Sequence, residues 1–230
     1  MPRTESADSE IARLRRYLER ERATRLQAES IAEAGLRDLY LKQQQMQLLA
    51  EIATASNQMT VVDDLLHYAV ARICGFTGWE AGHSYVVVGT GGSRRLRASS
   101  SWHYTLPELT GVFRSASQCF DLDCGDGLPG QALVVARPLW IADATVDRDR
   151  PGRSEAILAG LRGASAFPVL SGDEVVAVLE FFASDVREPD RAFVDLMAQI
   201  GAQLGRVIER QRAEDALHRQ AAELRMARDA

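Results

Sequence analysis

Three consecutive side chains, Trp102, His103 and Tyr104, are the densest concentration of chemistry in this sequence. Aromatic rings beside an imidazole can stack on a planar molecule while the imidazole supplies a hydrogen bond. The same trio serves equally as an ordinary anchor of loop to core, and both readings stand at this point. Leu128 and Gln131 lie in or just after the run Gly125-Asp126-Gly127-Leu128-Pro129-Gly130. Proline after glycine predicts a helix start there, and free N–H groups at such a terminus favour an anion. Trp140 completes the ligand-pocket candidates, although it reads most simply as a packing anchor.

Other residues with chemical potential do not assemble into a catalytic pattern. Cys74, Cys119 and Cys124 are an odd number, which speaks against a secreted disulfide framework. Cys119 and Cys124 form a Cys-x4-Cys pair, without the short spacing of zinc sites. Neither Gly89-Thr90-Gly91-Gly92 nor the later glycine-rich run carries the lysine-serine or lysine-threonine pair of a phosphate loop. Ser, His and Asp occur in no Gly-x-Ser-x-Gly setting, and no carboxylate pair sits on opposed strand ends with an accompanying base. We therefore expect no catalytic residue, no metal site and no cofactor. His83 reads as structural. Glu180, the one charged residue in an apolar strand, is expected to face a sheet edge or to pair with an arginine, because an unpaired buried carboxylate is costly.

The 230 residues carry a net charge of -5, and Lys42 is the sole lysine. This balance argues against a nucleic-acid surface. No stretch reaches the length of an apolar membrane span, and the polar start MPRTESADSE lacks a signal-peptide core. The expectation is a cytoplasmic protein without direct membrane contact.

Two long helical arms flank a compact middle. In the first, Leu36, Leu39 and Tyr40 keep helical spacing and Ile52 carries the stripe toward the core. The register is imperfect before that point and predicts a break or shift near Gly35. In the second arm Ile200, Leu204 and Val207 form a broad apolar face that narrows through Leu217 and Leu224 to a coiled-coil seam. The arm runs on to Ala230 without a capping signal, as expected of a helix that connects onward. Self-association through these residues is the expected use of the arms, with an intramolecular hairpin as the alternative.

In the middle, Thr60 is expected to cap a helix over about 61–74 that ends at Gly75 and Gly78. Strands follow over 83–88 and 96–102, then a short helix over 105–116 and an edge strand over 117–122. A helix after the Gly-Leu-Pro-Gly run, a strand over 138–142, a polar loop and a short helix over 154–161 come next. The clearest feature is a hairpin of near-continuous apolar strands, 164–170 and 175–182, turning at Ser171-Gly172-Asp173. Pro189 and Asp190 open the exit helix. The order implies an α/β layer structure around an antiparallel sheet, since a doubly wound parallel sheet needs longer crossovers.

With these elements in place, the middle resembles a GAF domain, a small-molecule-sensing relative of the PAS fold. The resemblance covers about Leu48 to Arg210. It rests on FDLDCGDGLPGQALVVARPLWIADAT (120–145), GLRGASAFPVLSGDEVVAVLEFFASD (160–185) and DRAFVDLMAQIGAQLGRVIER (190–210). It implies a central antiparallel sheet of about six strands with helices on both faces. One face would carry the first and last helices, often paired in a parallel dimer, and the other would form the pocket. The implied division is an N-terminal signalling helix over 1–47, a sensory domain over 48–205 and a linker helix over 206–230. Such domains lie between signalling helices in bacterial sensor histidine kinases and diguanylate cyclases. HRQAAELRMARDA is similar to the linker before the dimerisation helix of hybrid kinases.

The sequence departs from two defined classes. None of the cysteines is followed by the histidine usual at bilin attachment sites, and the lysine-containing signature of cyclic-nucleotide binders is absent. The resemblance thus implies a non-catalytic relay that forms a homodimer through its terminal helices and takes an unidentified small molecule. A passive dimerisation spacer with a vestigial pocket is the alternative. An enzyme of the methionine-sulfoxide reductase type would need a closely arranged cysteine pair and leaves the arms unexplained.

Overall fold

The computed structural model describes residues 3–99, 102–105, 122–146 and 160–228. The chain separates into two compact units, Met1–Met46 and Gln47–Ala230. Helix α1, Arg3–Gln58, is unbroken. The expected break at Gly35 does not occur: that residue lies in open space, and a single exposed glycine costs a helix only about 1 kcal/mol relative to alanine. In the first unit, the side chains from Arg13 to Gln43 are exposed, Leu36 and Leu39 at 66% and Tyr40 at 60%.

In the second unit, α2 covers Val62–Thr77. Its N-cap is Val61, with no side-chain cap, so the expected capping by Thr60 is corrected. It also runs through Gly75 and stops at Gly78, whose left-handed backbone (φ 71°) lets its N–H bond the Cys74 carbonyl. Strands β1 (Ala81–Val88), β2 (Arg95–Ala98), β3 (His103–Tyr104) and β4 (Leu122–Asp123) follow. After them come α3 (Gly127–Val135), β5 (Leu139–Ile141), β6 (Gly163–Ser171), β7 (Glu174–Ala183) and α4 (Arg191–Arg228). The sheet order is β4-β2-β1-β7-β6-β5, with β3 also on β1 and every pairing antiparallel. The expected helices over 105–116 and 154–161 and the strand over 117–122 fall outside the described residues, apart from Thr105, Leu122, Gly160 and Leu161, as does Cys119.

The single strand expected over 96–102 is two pieces. Between its pairings with Ala98 and His103, β1 moves from Tyr85 to Gly82 while the other segment moves five positions.

Two apolar layers sandwich the sheet. On the helix face, Ile52, Leu65, Ile73, Ile200, Leu204 and Ile208 meet Leu179 and Phe181. An aromatic knot of Trp79, Trp140, Phe167 and Phe193 joins them, with Phe167 and Phe193 edge-to-face at 5.1 Å. Ile52, Ile200 and Leu204, expected among the dimer-forming residues, are each 0% exposed within the chain's own core. The helix face seats α4 closely: a Cβ on Gly205 would collide with the Leu170 carbonyl. The Trp140 indole N–H donates to the Arg187 carbonyl, and Arg187 donates to the carbonyl of Gly78 at the end of α2. The segment leading into α4 is thereby fixed, and Asp190 caps it by accepting from the Ala192 N–H.

On the opposite face, Leu128, Ala132 and Leu133 of α3 pack on Ala164, Ala166, Val175 and Val178. Among the described residues no helix is long and apolar enough to cross a membrane.

Candidate functional site

Alternation along β1 and β7 sends Tyr85 and Phe182 to the α3 face, and His83 and Glu180 with them. His83 and Glu180 are direct partners in the β1–β7 register, so their side chains stand next to each other on one surface. All three polar residues are buried: His83 is 1% exposed, Glu180 6% and Tyr85 7%. The expectation for Glu180 is corrected. It stands in a central strand and its partner is the Tyr85 hydroxyl, which donates to Oε2 at 3.1 Å. An apolar strand covered on both faces gives its one buried polar residue no edge to reach.

Burial fixes the charge states. It pushes the Glu180 carboxyl up to about 8, against the opposing effect of the Tyr85 hydrogen bond. It pushes His83 down to about 4, only partly offset by the bond to Ser99. At neutral pH the set holds a protonated acid beside a neutral imidazole. His83 Nε2 lies 3.0 Å from the Ser99 carbonyl. A carbonyl only accepts, so Nε2 carries the proton and Nδ1 is left as an acceptor. That Nδ1 is buried and has no hydrogen-bond partner.

The aromatic wall is built around the same imidazole. Trp102 stacks on His83 with ring centroids 4.1 Å apart and planes 4° apart, and the Tyr85 ring meets His83 edge-on at 4.6 Å. Tyr104 and Phe182 lie parallel to Trp102 at 5.8 and 6.0 Å. One face of Trp102 is therefore occupied by the protein's own histidine.

Of the sequence candidates, Trp102, Tyr104 and Leu128 come together on this face. His103 is separated from its neighbours, because strand alternation points it toward α2, where its ring lies 6.4 Å from His67. Trp140 belongs to the helix face, while its neighbours Leu139 and Ile141 face α3. Gln131 is half-buried on α3 with no hydrogen bond to the polar set. His83, Tyr85 and Glu180 form the polar centre that the sequence reading did not assemble. The signal was present as a lone acid in LEFF and a polar residue in an apolar strand, but their cross-strand register was not.

Of the two cysteines among the described residues, Cys74 is shielded and Cys124 is exposed. Cys74 lies buried beneath Gly82, and burial, with the Glu80 charge adding, pushes its pKa up to about 12. Exposed Cys124 donates to the Arg94 carbonyl at 3.1 Å. Among the described residues no group of three or more His, Cys, Asp or Glu could hold a metal ion. Away from the α3 face, an open cleft of about 1110 Å³ separates the end of β1 from α4. It is crossed by Arg212, which donates to the Val87 carbonyl and, at 3.4 Å, to that of Val176.

Solved structures share this fold. The GAF domain of a phosphoenolpyruvate-protein phosphotransferase from Coxiella burnetii is 18% identical, the match covering 76% of this chain and 98% of that one, with a TM-score of 0.61. The corresponding domain from Acinetobacter is also 18% identical, over 74% of this chain and 95% of its own, at 0.59. A free methionine-R-sulfoxide reductase from Neisseria meningitidis, in complex with its substrate, is 18% identical over 74% and 91%, at 0.58. At such identity the likeness shows the fold alone, and it is shared by regulatory domains and an enzyme. No curated protein matches the sequence. A family model for the GAF domain matches residues 60–209, which span the whole sheet and the polar set beneath α3, and the chain belongs to that family.

Proposed function

We propose that this chain is a non-catalytic sensory module that transmits events on the α3 face of its sheet to its terminal helices. The observation that carries the reading is the double commitment of β7. Glu180 points into the buried polar set, while its neighbours Leu179 and Phe181 pack into the cluster holding Ile200 and Leu204 of α4. A shift of β7 on one face therefore alters the seat of α4 on the other. Close-packed interiors pass on such displacements without absorbing them. Gly205 against Leu170 and Arg212 on the Val87 carbonyl keep α4 tied to the sheet beyond that point.

Output through helix pairing belongs to the same proposal. The exposed apolar residues Leu36, Leu39, Tyr40, Leu217 and Leu224 are the surface that a second copy would cover. Parentage in a two-component sensor histidine kinase or a diguanylate cyclase, and a cytoplasmic location, rest on the character of the arms. The non-catalytic reading is supported by Cys74, whose buried, fully protonated thiol is unsuited to nucleophilic attack.

The test is light scattering across a concentration series, with the absorption spectrum recorded on the same sample. A concentration-stable dimer without a visible chromophore is expected. A monomer would overturn relay through paired helices and leave an isolated binding domain.

A further inference from the structure

We infer that the polar set on the α3 face receives a small organic cation carrying at least two N–H groups, of the ammonium or amidinium class, seated between the Glu180 carboxyl and His83 Nδ1. The inference rests on the sensory reading and names the ligand class of that site.

The argument is one of complementarity. Glu180 and His83 are register partners on the same face, so their side chains stand next to each other beneath α3. His83 Nδ1 is an acceptor by virtue of the Nε2–H bond to Ser99, is 99% buried with its side chain, and has no partner. A buried acceptor left without a donor costs free energy that a ligand N–H would recover. Among the described residues Glu180 has one hydrogen-bond partner, the Tyr85 hydroxyl on Oε2. No described element packed around it offers a cation: β6 and α3 contain no titratable residue, and β1 contributes the neutral His83 and the Tyr85 hydroxyl. A buried acid without a counter-charge stays protonated, and a ligand cation would supply the missing charge. An anionic ligand would instead meet an acid, an acceptor nitrogen and a phenol already committed as a donor.

Proton balance follows. Binding ionises Glu180, its proton leaves to solvent, and the carboxylate–cation pair is neutral as a unit. Below the Glu180 pKa of about 8, affinity rises about tenfold per pH unit and then levels off.

The experiment is isothermal titration calorimetry of the full chain with benzamidine, benzamide and benzoate, three probes of nearly one shape and different charge. It is run from pH 6 to 9 in buffers of different ionisation enthalpy. Expected is saturable binding of benzamidine with release of one proton at neutral pH, and at least tenfold weaker binding of the other two. Glu180→Gln keeps the Tyr85 hydrogen bond; it should melt cooperatively, bind benzamidine at least tenfold more weakly and lose the pH dependence. Equal binding of benzamide, or benzamidine binding that releases no proton, would overturn the cation assignment while leaving a ligand-binding sensor intact. Preference for benzoate, or no binding of any probe to a folded chain, would also overturn it; the relay reading is then decided separately by the dimer measurement.

Discussion

The two faces of the sheet are made by the same strands but differ in what they bury. The helix face closes on aliphatic and aromatic side chains, from Ile52 and Leu65 to Phe181 and Phe193, with only small polar groups among them, including the Cys74 thiol and the Ser84 and Ser165 hydroxyls. The α3 face surrounds an acid, an imidazole and a phenol with the same kind of apolar residues. An apolar layer gains from every contact, whereas a buried polar group must be matched or left at a cost. The helix face is therefore where the fold is held and the α3 face where ligand chemistry is available. Because side chains alternate along β7, the two lie one residue apart in sequence.

Removing Phe181 should do most to break this comparison. Phe181→Ala empties a fully buried site in the helix-face layer and should destabilise the chain by about 3–5 kcal/mol, read from denaturant unfolding. A loss below 1 kcal/mol would mean that this layer does not hold the fold. Gly205→Ala comes next. Its Cβ meets the Leu170 carbonyl, so α4 must lift from β6, at a cost of about 1–3 kcal/mol. Unchanged stability would show that α4 is seated loosely.

The pH dependence of stability sharpens the contrast from the other face. Glu180 is raised from 4.5 to about 8, so its stabilising effect is complete below its ordinary value and disappears as pH rises to about 8. His83 is lowered from 6.5 to about 4, so its effect is present above its ordinary value and lost as pH falls to about 4. Between pH 4.5 and 6.5 the two slopes oppose and cancel. From 6.5 to about 8 only Glu180 acts, and stability should fall by about 1.4 kcal/mol per pH unit, or ~2 kcal/mol in all. Glu180→Gln should abolish that fall, and an identical profile in both proteins would refute the buried acid.

Smaller effects test the borders. Trp140→Phe removes the indole donor to the Arg187 carbonyl and should cost about 1 kcal/mol in unfolding free energy. A loss as large as that of Phe181→Ala would mean that the ring, not its N–H, matters. Leu217→Pro falls where α4 is exposed. It should reduce the helical circular dichroism signal and leave the core's melting midpoint within 1 °C or so, since a proline breaks the helix locally.

The order of elements, the apolar β6–β7 hairpin, the glycine-proline helix start and the two long arms were legible in sequence, because each depends on local spacing or turn chemistry. The helix ends were less so: Val61 bounds α2 where Thr60 offered the more familiar signal, and of the two glycines expected to end it, Gly78 does so while Gly75 lies within the helix. The site was legible in parts. Trp102, Tyr104 and Leu128 were chosen for ring chemistry and a helix start, and they do share a face. His103 and Trp140 had equal claims by residue type, and strand alternation sent both to the opposite layer.

Sequence by itself determined that two helical arms enclose a sheet with apolar central strands, since hydrophobic period and turn residues are properties of the local chain. Tertiary structure decided which residues of those strands meet. The register that sets His83 beside Glu180 and the Tyr85 hydroxyl on its carboxyl joins positions 97 and 95 apart in the chain. In a strand apolar on both sides, no sequence pattern marks which face will hold the ligand and which the helices, because only packing against α3 on one side and α4 on the other distinguishes them.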